Sequence, residues 1–82
     1  MSFRKNSKKL KLVRLPDNHD GMDVEPKKGT NTLYWWNKGD DQNGWYVKAD
    51  LYDVDGENVE CLVAESFTVL MSRLKQDFGL DA

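Results

Sequence analysis

The sequence contains one cysteine and one histidine, Cys61 and His19. A single cysteine cannot form a disulfide within the chain, so we expect a reducing, cytoplasmic setting. The histidine falls in a predicted loop. The cysteine falls in a predicted core strand, where we expect it to act as a small buried hydrophobe rather than as a nucleophile.

The sequence also lacks the local motifs that enzymes use. It has no G-x-S-x-G elbow, no glycine-rich loop that could hold phosphate and no H-E-x-x-H pair. A domain of this size has little room for a ligand pocket in addition to its core. We therefore expect neither catalytic activity nor a bound cofactor.

Long apolar runs are missing as well. A run such as Leu33–Trp36 is far shorter than the roughly 20 residues of a membrane helix, so we expect no membrane association. The basic start of the chain is not followed by an apolar segment, so no secretory signal is predicted.

Acidic residues and the histidine are concentrated in one predicted loop. Histidine together with carboxylates can bind a divalent metal, but no spacing in this loop matches a known ligand set. We predict no metal site there. The residues concerned are Asp17, His19, Asp20, Asp23 and Glu25.

The net charge of −2 conceals an uneven distribution. Residues 1–14 carry six positive charges and no acid, whereas residues 15–82 carry six positive and fourteen negative charges, a net of −8. We interpret residues 1–9 as a mobile basic arm and residues 10–82 as one small domain that folds without the arm. An electrostatic role is assigned to Arg4, Lys5, Lys8, Lys9 and Lys11.

Alternating apolar and polar residues predict β-strands. They lie at about Leu10–Leu15, Thr32–Trp36, Trp45–Asp53 and Val59–Val63, with long polar loops at residues 16–31 and 37–44. The predicted fold class is α+β, a three- to four-stranded antiparallel meander with one C-terminal amphipathic helix packed on one face.

The turn after the third strand contains Asp55-Gly56. A three-residue loop at positions 54–56, with Gly56 in the left-handed region, would place apolar residues opposite each other. We therefore predict a type I turn with a G1 bulge. The expected cross-strand pairs are Leu51 with Val59, Ala49 with Cys61, and Val47 with Val63.

The predicted C-terminal helix begins after Ser66 as N-cap and stops at Gly79. Its apolar stripe must pack against a sheet face, because a helix of this length is not stable alone in water. The stripe contains Phe67, Leu70, Met71, Leu74 and Phe78. The facing surface is predicted to contain Trp35, Trp45, Val47, Leu51, Cys61 and Val63.

The opposite sheet face is the candidate binding site. If no other element covers it, its aromatic side chains form an exposed patch of the kind that marks an interface. The predicted partner-binding residues are Tyr34, Trp36, Tyr46, Lys48 and Tyr52, and Leu62 is placed on the same face. Two alternatives remain open, namely that loop 16–31 covers this face or that a homodimer partner does.

Two functions fit these predictions. The first is a small protein-binding module, an inhibitor or accessory protein of the phage or mobile-element type, that acts through the aromatic face. The second is a single-stranded nucleic-acid binder, in which the aromatic side chains stack bases and the basic arm contacts phosphate. The acidic body favours the first, since phosphate contacts dominate nucleic-acid affinity.

Overall fold

Four strands and one helix follow one another along the chain in a computed structural model that describes residues 10–19 and 24–80. The predicted basic arm at residues 1–9 lies outside the described residues, as do loop positions 20–23. The elements are β1 (Leu10–Arg14), β2 (Asn31–Asp40), β3 (Gly44–Tyr52), β4 (Asn58–Ala64) and α1 (Phe67–Phe78).

The strands form a single sheet in the order β1-β2-β3-β4, with the helix on one side, so the predicted α+β fold class is confirmed. The pairs β2–β3 and β3–β4 are antiparallel, but β1 pairs with β2 in parallel. The antiparallel prediction is therefore wrong for the first pair. A parallel neighbour requires a connection of about a dozen residues or more, which explains the long segment between β1 and β2.

Helix α1 has the predicted caps. The Ser66 hydroxyl accepts a hydrogen bond from the Val69 backbone N–H at 3.2 Å, and Gly79 adopts the left-handed conformation that ends the helix. Leu70 and Leu74 are fully buried against the sheet. The Arg73 guanidinium donates to the Val63 carbonyl oxygen at 2.8 Å, which ties the helix to the outer edge of β4.

The core lies between α1 and one face of the sheet. It contains Leu33 from β2, together with Val47, Ala49 and Leu51 from β3. From β4, Leu62 and Ala64 are buried, whereas Cys61 and Val63 are exposed. The prediction that Cys61 and Val63 belong to the core is therefore wrong, and so is the placement of Leu62 on the aromatic face.

The predicted turn between β3 and β4 is nevertheless confirmed. Gly56 has φ of 81°, and its N–H donates to the Asp53 carbonyl oxygen at 3.1 Å. The Asp53 N–H donates in turn to the Glu57 carbonyl oxygen at 2.9 Å, which closes the three-residue loop. The error in the predicted register therefore arises after the turn.

A β-bulge at Val59 shifts the register by one residue. Tyr52 pairs with Asn58, but the next residue, Leu51, pairs with Glu60. The Asn58 side-chain amide donates to the carbonyl oxygens of Leu51 and Glu60, at 3.0 and 3.3 Å, and so fills the gap in the ladder. The bulge places Glu60 opposite Leu51, yet Glu60 stays exposed and Val59 still packs against the core. Beyond the bulge, Leu62 and Ala64 face the core in place of Cys61 and Val63.

The register predicts opposite results for two neighbouring truncations. We expect Leu62→Ala to lower the free energy of unfolding by about 2–4 kcal/mol, because it opens a cavity in the core. Val63→Ala should cost less than about 1 kcal/mol, because that side chain is 53% exposed. Urea unfolding followed by circular dichroism measures both, and a larger cost at Val63 would contradict the register.

Candidate functional site

The β2–β3 hairpin extends beyond the rest of the sheet. Strand β1 pairs with β2 only as far as Trp35, and β4 pairs with β3 only as far as Val47. Residues 37–46, here called the hairpin projection, continue past these points, with pairs that end at Asp40 and Gly44. The predicted loop at residues 37–44 is therefore mostly strand, and only residues 41–43 form the turn.

Hydrogen bonds within the turn hold the tip of the hairpin projection. The Asp40 carboxylate accepts from the backbone N–H groups of Asn43 and Gln42 and from the Asn43 side-chain amide. These bonds stabilise the charged form and hold the pKa of the Asp40 carboxyl below its usual range, with the Asn43 backbone bond as the largest cause. The Trp45 indole N–H donates to the Asp41 carboxylate at 3.2 Å.

Asn18 supports the hairpin projection from the β1 side. Its backbone N–H donates to the Asn37 carbonyl oxygen at 2.7 Å, and its side-chain oxygen accepts from the Gly39 N–H at 2.9 Å. Asn18 adopts φ of 60°, a conformation that asparagine tolerates better than most residues. Asn18 therefore makes hydrogen bonds to this edge of β2 beyond the point where its pairing with β1 ends.

Gly39 brings the two strands of the hairpin projection unusually close together. Its φ is 137°, and a Cβ atom at this position would lie 2.1 Å from the Gly44 carbonyl oxygen. Only glycine fits there. Gly39 pairs with Trp45, so Trp45 has no side chain opposite it on the neighbouring strand.

An open aromatic cleft lies where the hairpin projection meets the start of α1. Its volume is about 370 Å³. The Trp35 ring contacts the Phe67 ring at a centroid distance of 4.5 Å, and the Arg14 guanidinium lies 5.2 Å from the centroid of Trp35. We define the aromatic cleft by Arg14, Trp35, Asn37, Trp45, Glu65 and Phe67.

Two opposite charges flank the aromatic cleft. Arg14 lies at the end of β1, and Glu65 follows β4, so the strand order places them on opposite sides of the cleft. Arg14 has a single long contact with the Asp17 carboxylate, at 3.8 Å, and both side chains are more than half exposed. Such an exposed pair is weak, so the Arg14 charge remains accessible to a ligand.

The predicted partner-binding face is largely buried. Trp36 is 3% exposed and Tyr34 is 8% exposed. The His19 ring meets the Trp36 ring edge-on at 6.1 Å, and the Tyr52 ring meets the Tyr34 ring edge-on at 5.6 Å. The aromatic face that the sequence predicts as a continuous exposed patch is thus closed at its centre.

The connection between β1 and β2 runs along this face. His19 lies on Trp36 at its start, and the Gly29 N–H donates to the Val54 carbonyl oxygen at 2.7 Å near its end. Pro26 lies beside Gly56 in the β3–β4 turn. A parallel β1 obliges the chain to return across one side of the sheet, and α1 already occupies the other. Of the two alternatives left open, coverage by the loop is seen at Trp36, which His19 contacts, whereas the ring contact of Tyr34 is with Tyr52 of β3.

The remaining predicted residues are more accessible. Tyr46 is 38% exposed, whereas Lys48 and Tyr52 are half-buried. Burial raises the pKa of the Tyr52 hydroxyl, and the Asp50 charge adds to this effect. Lys11 is exposed on β1, and the other arm residues lie outside the described part of the chain.

Sequence reasoning missed the aromatic cleft because it assigned Trp35 and Trp45 to the surface under the helix. The helix begins at Phe67, beside Trp35, and leaves Trp45 44% exposed. The predicted β2 ends at Trp36, so the sequence prediction does not extend the hairpin; in the structure β2 and β3 have ten and nine residues, while β1 and β4 have five and seven. A longer central pair must project beyond shorter neighbours.

Neither a metal-binding cluster nor a membrane-spanning helix is found in the part of the chain that the structure describes. Residues 10–19 and 24–80 contain no group of three or more His, Cys, Asp or Glu side chains able to hold a metal ion. The same residues contain no helix that is long and apolar enough to cross a membrane. Comparison with protein-family models, curated sequences and solved structures finds no significant match.

Cys61 faces Asp50 on the neighbouring strand. Its thiol donates to the Asn58 side-chain oxygen, with Sγ 3.6 Å from Oδ1. Hydrogen bonding with the Asp50 carboxylate is the largest cause that raises the pKa of the Cys61 thiol, and the negative charge of Asp50 also raises it. Because the thiolate is the reactive form, we expect Asp50→Asn to lower that pKa and to accelerate alkylation by iodoacetamide at pH 8. The two proteins should react at equal rates well above the thiol pKa, and equal rates at pH 8 would contradict the assignment.

Proposed function

We propose that this chain is a small non-enzymatic protein-binding module that contacts its partner through the hairpin projection. The observation that carries the proposal is the exposure of two adjacent aromatic residues, Trp45 and Tyr46, at 44% and 38%. Both lie in β3 beyond the point where β4 ends. Among the described residues, Val63 is the other large hydrophobic side chain that is exposed.

The chemistry of the hairpin projection suits a protein partner. Tryptophan and tyrosine are enriched among the residues that contribute most to protein interfaces. Isolated two-stranded hairpins are marginally stable, but here Asn18 and the Asp40 turn fix the projection before binding. A fixed hairpin loses little conformational entropy when it docks, and that favours affinity.

The acidic turn favours a partner with basic residues around its binding site. Asp40 and Asp41 lie at the tip, and complementary charges raise association rates. A narrow projection with an aromatic residue on each face can enter a cleft of another protein. We therefore propose an inhibitory or accessory role, of the kind that small phage or mobile-element proteins perform.

The test removes the two aromatic side chains without touching the core. We expect Trp45→Ala together with Tyr46→Ala to weaken partner binding at least about tenfold, because each residue is a candidate for a major share of the interface energy. Partners captured from the source cells are identified by mass spectrometry, purified and titrated against both proteins by calorimetry.

Gln76→Ala, on the exposed side of α1, serves as the matched control and should bind like the unmodified chain. Circular dichroism verifies that the double variant is folded. Unchanged affinity in a folded double variant would refute the proposal. Light scattering of the chain alone determines whether the partner is a second copy.

A second candidate function is supported by one observation, the Arg14 guanidinium stacked over Trp35 in the aromatic cleft. Aromatic rings with a neighbouring guanidinium can stack the bases of single-stranded nucleic acid. The net charge of −8 over residues 15–82 disfavours nucleic-acid binding, because nucleic acid is itself negatively charged.

Titration of labelled single-stranded DNA and RNA at low salt tests this second function, since a protein that binds through phosphate contacts has its strongest affinity at low salt. We expect no saturable binding.

A further inference from the structure

We propose that the aromatic cleft binds a short extended, proline-containing segment of the partner protein, flanked by one acidic and one basic side chain. This inference rests on the proposed function and specifies the chemistry of the partner. Trp45 belongs to both surfaces, because it is exposed on the hairpin projection and lines the cleft. The partner segment would thus lie along the helix-side face of the projection.

The walls of the cleft favour proline over branched aliphatic side chains. Its apolar lining is mostly aromatic, with Trp35 packed against Phe67 and with Trp45 also lining the cleft, and Val47 is the aliphatic residue among them. Aromatic-lined grooves are the surfaces on which proline-rich segments dock, because a polyproline II helix is extended before binding and loses little entropy. The cleft is open rather than enclosed by the protein, which suits a chain that passes through it.

Strand addition is a less suitable mode for a segment that enters the cleft from the β1 side. An added strand needs free backbone groups along the edge of β2. Asn18 already bonds the Asn37 carbonyl oxygen and the Gly39 N–H at this edge. On the other side, the Arg73 side chain occupies the Val63 carbonyl oxygen of β4. The ligand must therefore contact side chains on the face of the sheet.

The Asn37 side chain supplies the polar contact that a proline-containing segment needs. Proline lacks an N–H group, so such a segment presents mainly carbonyl oxygens as hydrogen-bonding groups. The Asn37 carboxamide lines the cleft and carries two N–H donors. We infer that it donates to a carbonyl oxygen of the bound segment.

Charge complementarity fixes the ends of the segment. Arg14 on the β1 side would attract a carboxylate, and Glu65 on the β4 side would attract a lysine or arginine. A methylated ammonium group, which aromatic cages also bind, is disfavoured because the Arg14 cation already lies over Trp35. A peptide that carries trimethyllysine therefore serves as a control in the experiment below.

The experiment follows the three tryptophan indole N–H signals by NMR during peptide titration. The probe is the peptide Glu-Pro-Pro-Leu-Pro-Pro-Arg with blocked ends. Control peptides replace the prolines with glycine, replace both charged residues with glutamine, or carry trimethyllysine without proline. We expect saturable shifts of the Trp35 and Trp45 signals, while Trp36, buried on the other face, serves as an internal reference.

Substitutions in the chain test each contact separately. Trp45→Ala and Asn37→Ala should each weaken binding of the proline peptide, the former at least about tenfold. In the double variant Arg14→Gln with Glu65→Gln, the charged and uncharged peptides should bind equally. Val63→Ala, exposed but outside the cleft, should leave the affinity unchanged.

Stronger binding of the proline peptide than of the glycine and trimethyllysine peptides, with the expected dependence on Trp45, supports the inference. No saturable binding, equal binding of the glycine peptide, or preference for trimethyllysine overturns it. The proposed function fails separately, through partner affinity that does not depend on Trp45 and Tyr46. A partner that needs these residues while the proline peptide does not bind refutes only the ligand assigned to the cleft.

Discussion

Parallel pairing of β1 with β2 determines which surfaces of this small sheet are available. Two parallel neighbours cannot be joined by a tight turn, so the chain must travel back along the sheet between them. The helix-side face is taken by α1, and the connection therefore runs along the other face, with His19 on Trp36. The described start of this connection thus covers Trp36, and Tyr34, which contacts Tyr52, is also buried on this face.

The same connection also shapes the exposed part of the molecule. Before it crosses the sheet, it places Asn18 against the edge of β2, where Asn18 bonds Asn37 and Gly39. That contact lets the two central strands continue beyond their neighbours as an ordered pair. Residues 15–19 thus contribute to two features. His19 covers Trp36, and Asn18 supports the hairpin projection that exposes Trp45 and Tyr46.

Local signals in the sequence predicted local structure well. The Ser66 and Gly79 caps, the leucine stripe of α1 and the Gly56 turn all depend on residues close together in the chain, and all are confirmed. The register of β4 could not be predicted in this way. It depends on Asn58, whose side chain bridges carbonyl oxygens on both strands and stabilises a bulge that no hydrophobic pattern indicates. The direction of β1 likewise has no local signature, because five alternating residues fit either orientation.

Adjacent residues of a strand point to opposite faces, so an exposed Trp-Tyr pair has a specific structural meaning. Cover on either face of the sheet would bury one of Trp45 and Tyr46, and cover on both faces would bury both. Both are exposed because β1, β4, α1 and the described parts of the connection leave this end of the hairpin uncovered. An exposed aromatic surface of this kind often marks an interaction site. Together with a turn that is fixed by Asp40 and a strand edge that is closed by Asn18, it favours recognition of a partner over a purely structural role for the hairpin projection.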